Sequence, residues 1–154
     1  MRRIGVLELG VESGNRTVPA FTQALAGLGW TDGRNVRIDL RWGGGDSNRI
    51  RTLAQDLVSL QPDIIVTDVT PATVALQQET RTIPIVFAGV GDPVASGIVP
   101  RLDRPGGNIT GFATLEPSLG GKWLELLSEI APGLTRAAVM FNRDSLTAST
   151  YALI

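Results

Sequence analysis

Thr70-Pro71-Ala72-Thr73 follows a short apolar run and opens a segment of helical period. A hydroxyl residue followed by proline suits a helix start, and the unpaired N–H groups of a first helical turn attract a carboxylate or phosphate. Glu12 and Ser13 lie in a glycine-containing loop, Glu8 to Asn15, after an earlier strand-like run. Their side chains suit an ammonium group or hydroxyls. Asp92 precedes Pro93 after another apolar run, where it can cap a turn or face the same ligand. Glu12, Ser13, Thr70, Pro71, Ala72, Thr73 and Asp92 are therefore the candidate ligand contacts, although capping alone also accounts for Thr70 and Asp92. The chemistry they offer is recognition rather than turnover. The chain has no cysteine and no histidine. That excludes thiol nucleophiles, Cys/His zinc sites and acid–base pairs built on imidazole. No catalytic residue, metal site or cofactor is expected.

Other motifs fail on their spacing. The loop from Glu8 to Asn15 is not G-x-G-x-x-G, so it is no dinucleotide fingerprint. Gly120-Gly121-Lys122-Trp123 lacks the Ser/Thr that follows the lysine of a phosphate loop, and no strand precedes it correctly. A response-regulator receiver needs an acidic pair after the first strand, an aspartate after the third and a lysine after the fifth. Glu8 and Asp68 meet the acidic positions, but Lys122, the single lysine, falls inside a later helical segment.

The candidate residues must be positioned by alternating strands and helices, the signature of βαβ units and a parallel sheet. Strands are predicted at Ile4–Leu9, Asn35–Trp42, Asp63–Thr67, Ile85–Ala88 and Asn108–Phe112. The second alternates apolar and polar residues, as an edge strand does, whereas the third has an unbroken apolar centre and belongs inside the sheet. Between them, Arg16–Leu28 carries Val18, Phe21, Leu25 and Leu28 on one helical face, with Gly29 as its stop. A second helix, capped by Asp46 or Ser47, buries Ile50, Leu53, Leu57 and Leu60. A third has Thr70 as N-cap and Pro71 at the first helical position. A short helical turn follows Asp92-Pro93. The expected fold is α/β, a doubly wound five-stranded parallel sheet of flavodoxin-like order 2-1-3-4-5. Ligands bind such sheets beyond the carboxyl ends of the strands, where all the candidate contacts fall. A further helix, Ser118–Ala131, carries Leu119, Trp123, Leu126, Leu127 and Ile130, and a strand is predicted at Arg136–Phe141. Trp30, Trp42 and Trp123 are expected in the core or at an interface.

The 154 residues suffice for one compact domain, and a formal net charge of −1 gives no electrostatic grip on nucleic acid. No apolar run is long enough to span a bilayer. The chain enters its first strand at Ile4-Gly5-Val6-Leu7, without the pattern of an export signal.

Seven stretches in order resemble the substrate-binding proteins of ABC importers, in the tryptophan/tyrosine-type group with a type I periplasmic-binding-protein fold. They are Ala24 to Val36, Pro62 to Val66, Thr70 to Thr73, Thr82 to Phe87, Asp92 to Gly97, Arg104 to Phe112 and Gly121 to Leu127. The resemblance implies a non-enzymatic solute binder of two hinged lobes, with an amino acid or similar small organic acid held in the cleft between them. It also implies an ABC permease as partner and a periplasmic or extracytoplasmic location. On this reading residues 1–114 are the ligand-binding N-terminal lobe and residues 115–154 are a truncated start of the second. The apolar surface of 115–154 then predicts a homodimer through those residues. The alternatives are a truncated remnant that folds as an oligomer without capturing solute, and a small α/β enzyme of unknown type.

Overall fold

A computed structural model of the chain describes residues 1–114 and 119–138. Five strands, β1 (Arg2–Glu8), β2 (Val36–Trp42), β3 (Ile64–Asp68), β4 (Ile85–Val90) and β5 (Ile109–Ala113), form one parallel sheet of order β2-β1-β3-β4-β5. β2 is an edge strand and β3 is central, as their patterns require. The helices are α1 (Thr17–Gly27), α2 (Ser47–Ser59), α3 (Thr70–Glu79) and α4 (Leu119–Ile130).

The period of two in the strands divides the sheet's faces. Leu7, Ile65, Ile85, Phe87 and Ile109 face α2 and α3, where they pack with Ile50, Ala54, Leu57, Ala72, Ala75 and Leu76. Ile98 and Val99, from the turn after Asp92, complete this core. α2 begins as its sequence predicts, because the Asp46 carboxylate accepts from the Asn48 N–H at 2.8 Å.

The opposite face is covered less completely. α1 lies there with Val18, Phe21 and Leu25 half-buried and no residue fully buried. Leu28 is exposed, so the expected four-residue face contributes only three packing residues. α1 ends in a Schellman turn. Gly29 takes φ 86°, its N–H donates to Ala26, and the Trp30 N–H donates to Leu25. Trp30 is exposed and Trp42 half-buried, so neither is a core residue.

α4 follows the sheet with Trp123, Leu126, Leu127 and Ile130 all exposed, Ile130 at 80%. The apolar stripe predicted from sequence is present on the helix and uncovered among the described residues. Arg136–Ala138, the start of the last predicted strand, has no strand conformation; its remainder, like Ser118, lies outside the described residues.

Candidate functional site

The loops after β1, β3 and β4 meet at the carboxyl edge of the sheet, the crossover-rich end where open α/β folds hold ligands. The loop after β1 exposes Glu12 and Ser13. It is tied down by Asn15, whose side-chain oxygen accepts from the Val18 N–H at 2.9 Å and so satisfies a donor of the first turn of α1.

β3 passes into α3 through Val69, and here the sequence expectation is corrected. Thr70 is the first helical residue, not the cap. The cap is Val69, at φ 35° and ψ 150°, with no side-chain hydrogen bond to the turn. A β-branched residue at positive φ is strained, and strain of this kind collects where backbone is shaped for a ligand. The strand end and helix start are one residue apart, which leaves no room for a relaxed connection.

The first turn of α3 is also less open than its sequence suggests. Thr70, Ala72 and Thr73 are buried and Pro71 is half-buried. The Thr73 hydroxyl donates to the Val69 carbonyl at 2.9 Å, so it braces the strained turn from within. After β4, the strand bulges at Gly89, whose φ of 95° needs glycine, and leads to Asp92. One Asp92 carboxylate oxygen accepts from the Val94 and Ala95 N–H groups at 3.1 and 2.9 Å. The turn after Asp92 is thus capped as expected, and its half-buried carboxyl stands beside the same edge. The structure therefore brings Glu12, Ser13, Pro71 and Asp92 to accessible positions, with Ala72 and Thr73 behind them.

Two acidic residues that sequence reasoning used only to test a receiver domain lie at the centre of this edge. Glu8 ends β1 and Asp68 ends β3, one step beyond the register pair Leu7–Thr67. Glu8 is only 4% exposed. Burial, and then the Asp68 carboxyl beside it, push Glu8 up to about 7, against a hydrogen bond from the Asn15 amide. Burial also raises Asp68, while the hydrogen bond from Glu8 acts in the opposite direction. Asp68 Oδ1 is completely buried and has no hydrogen-bond partner among the described residues. The signal in the sequence was their place as the last residues of two strands that order 2-1-3 makes adjacent.

The other edge of the sheet is different in kind. A hollow of about 250 Å³ there is lined by Arg2, Arg3, Leu25, Trp30 and Asp63 among others. Its charges are paired: Arg2 with Asp63 at 2.7 Å, and Arg3 with Asp39. Burial alone would raise Asp39, but Arg3 and Arg37 outweigh it and hold its carboxyl below the usual range. These are structural ion pairs. Glu8 and Asp68, at the carboxyl edge, have no such cation among the described residues.

Comparison with known proteins gives a consistent picture. Residues 7–152 match the family model described as ABC transporter substrate binding protein. A tyrosine-binding protein of Clostridioides difficile (strain R20291) is 33% identical over 147 residues, covering 94% of this chain and 42% of the relative. A crystal structure of a conserved domain protein from Vibrio cholerae superposes with a TM-score of 0.82 at 30% identity, over 98% of this chain and 51% of that one. An ABC domain from Streptococcus pneumoniae in complex with L-Trp gives a TM-score of 0.71 at 30% identity, over 82% of this chain and 42% of that one. The chain thus spans about half the length of the relatives it matches.

Proposed function

The chain belongs to the ABC transporter substrate-binding protein family, a family of solute binders rather than enzymes, and from that premise we propose that it binds an aromatic amino acid for an ABC importer. The ligand lies at the carboxyl edge of the sheet, against Glu12 and Ser13, the Thr70–Thr73 turn and Asp92, and faces a second lobe. Residues 1–114 form the first lobe and residues 115–154 begin the second. Operation is extracytoplasmic, with an ABC permease as partner. No helix among the described residues is long and apolar enough to cross a membrane.

The observation that carries this reading is the convergence of three loops with polar, strained and unneutralised groups on one sheet edge, in a chain about one-third identical to a tyrosine-binding protein. Titration calorimetry with L-tyrosine and L-tryptophan tests it. Saturable binding of either, weakened by Asp92→Ala, is expected; no heat with either amino acid refutes the assignment.

Self-association is a second element of the reading. The bare apolar face of α4 favours it, because contiguous exposed apolar surface on a soluble chain marks an interaction site. A homodimer through residues 115–154 would cover that face.

A further inference from the structure

We propose that Glu8 and Asp68 form a cation site that receives the primary ammonium group of the solute, with Asp68 Oδ1 as an acceptor. The inference deepens the amino-acid-binding reading and rests on it for the identity of the ligand, but the geometry stands separately.

The two carboxyls end neighbouring strands, which lie about 4.8 Å apart in a sheet. At that separation and with little solvent, ionising both is costly unless a positive charge joins them. No protein cation does so among the described residues. Arg41, near the end of β2, is held by Asp56 at 2.6 Å. Arg16 at the start of α1 and Arg49 on α2 are exposed, Glu12 in the loop is exposed, and Asp92 adds further negative charge after β4. Glu8 is nine-tenths buried, and although Glu8 and the Leu9 N–H bond the Asp68 carboxyl, its buried Oδ1 has no hydrogen-bond partner among the described residues. A buried acceptor without a donor is costly, so the Asp68 oxygen suits a ligand that brings a donor.

Both residues line a cavity of about 80 Å³ under α1, whose other walls include Val6, Val18, Phe21 and Val66. A water molecule takes about 30 Å³ of liquid, so the cavity admits an amino head and not an aromatic amino acid. The apolar walls strengthen the attraction between an ammonium and the carboxyls. A primary ammonium offers three donors, enough for the Asp68 oxygen and for Glu8. A divalent metal asks for more oxygen ligands, and no third Asp, Glu, His or Cys joins these two among the described residues. The charge balance is simple. Without ligand, just below the Glu8 midpoint of about 7, the pair holds one proton between its two carboxyls. The ammonium replaces that proton, which leaves to solvent as the ligand enters.

The test follows the Glu8 carboxyl carbon by NMR from about pH 5 to about pH 9, in the chain alone and with L-tyrosine, tyramine or 3-(4-hydroxyphenyl)propionate. L-Tyrosine and tyramine are expected to lower the Glu8 midpoint by about one unit or more, and the propionate to leave it in place. Glu8→Gln and Asp68→Asn, which keep the side-chain shape, are each expected to weaken L-tyrosine about tenfold or more without changing the weaker binding of the propionate. A midpoint unmoved by all three compounds overturns the site. A midpoint unmoved while calorimetry records L-tyrosine binding overturns the site alone and leaves the amino-acid reading intact. A shift with tyramine but no binding of L-tyrosine keeps the cation site and overturns the amino-acid reading. An equal shift with sodium or potassium chloride at matched concentration overturns the ammonium assignment in favour of an inorganic ion.

Discussion

The Thr67 hydroxyl, itself buried, donates to the Leu7 carbonyl oxygen at 2.8 Å and ties β3 to β1 directly beneath the Glu8–Asp68 pair. The same hydroxyl lies 3.1 Å from the Asp68 carbonyl. The strand ends that carry the two carboxyls are therefore fixed to each other by a side chain as well as by the sheet ladder.

Removing that tie has a measurable cost. Thr67→Val keeps the side-chain volume and deletes the hydroxyl. It is expected to lower the unfolding free energy by about 1–2 kcal/mol in urea titration, with an unchanged denaturant slope. The Glu8 midpoint should also move, because the two carboxyls would no longer be held in register.

Glu8 makes stability depend on pH in a defined direction. Its carboxyl titrates near 4.5 in the unfolded chain and at about 7 in the folded one. The unfolded state loses its proton first, so the group's penalty on folding is absent below about pH 4.5 and grows as pH rises toward 7. Glu8→Gln removes the titration and keeps a donor toward Asp68. The variant is expected to gain stability over the parent between about pH 5 and about pH 8, by about 1–3 kcal/mol, as read from melting curves across that range.

Gly111 in β5 sits against Phe87 in β4, and a Cβ at position 111 would overlap the Phe87 carbonyl oxygen and ring. Neither can yield, since one is ladder backbone and the other a core side chain. Gly111→Ala is expected to cost about 2–4 kcal/mol and to fray β5, with amide exchange rising first at Ile109–Ala113. Gly121→Ala on α4 is the matched control. A Cβ there meets open space, and the change should stabilise the helix by about 0.5–1 kcal/mol.

The exposed stripe of α4 predicts concentration-dependent assembly. Sedimentation of the chain should show dimer at micromolar concentration, and Leu126→Ser with Ile130→Ser should shift it to monomer while leaving the far-ultraviolet spectrum of the sheet domain intact. A parent chain that remains monomeric, with Trp123 open to quenchers, removes the dimer.

The sequence by itself determined the architecture. Alternation in Val36–Trp42 against the unbroken apolar run at Ile64–Val66 distinguished edge from centre, since only a central parallel strand has both faces buried. The Gly29 stop and the Asp46 cap were legible because they depend on a few contiguous residues. Seven ordered stretches were enough to carry the family. Tertiary structure decided what lies between elements distant in the chain. Thr70 lost the cap position to Val69 because the β3–α3 connection is too short for a relaxed turn, and propensity cannot register that strain. Glu8 and Asp68 are separated by sixty positions and look like two ordinary loop-flanking acids, until the β1–β3 register sets them side by side under α1. Their shared charge and raised titration arise from burial and proximity, and both are properties of the folded sheet rather than of any local run of residues.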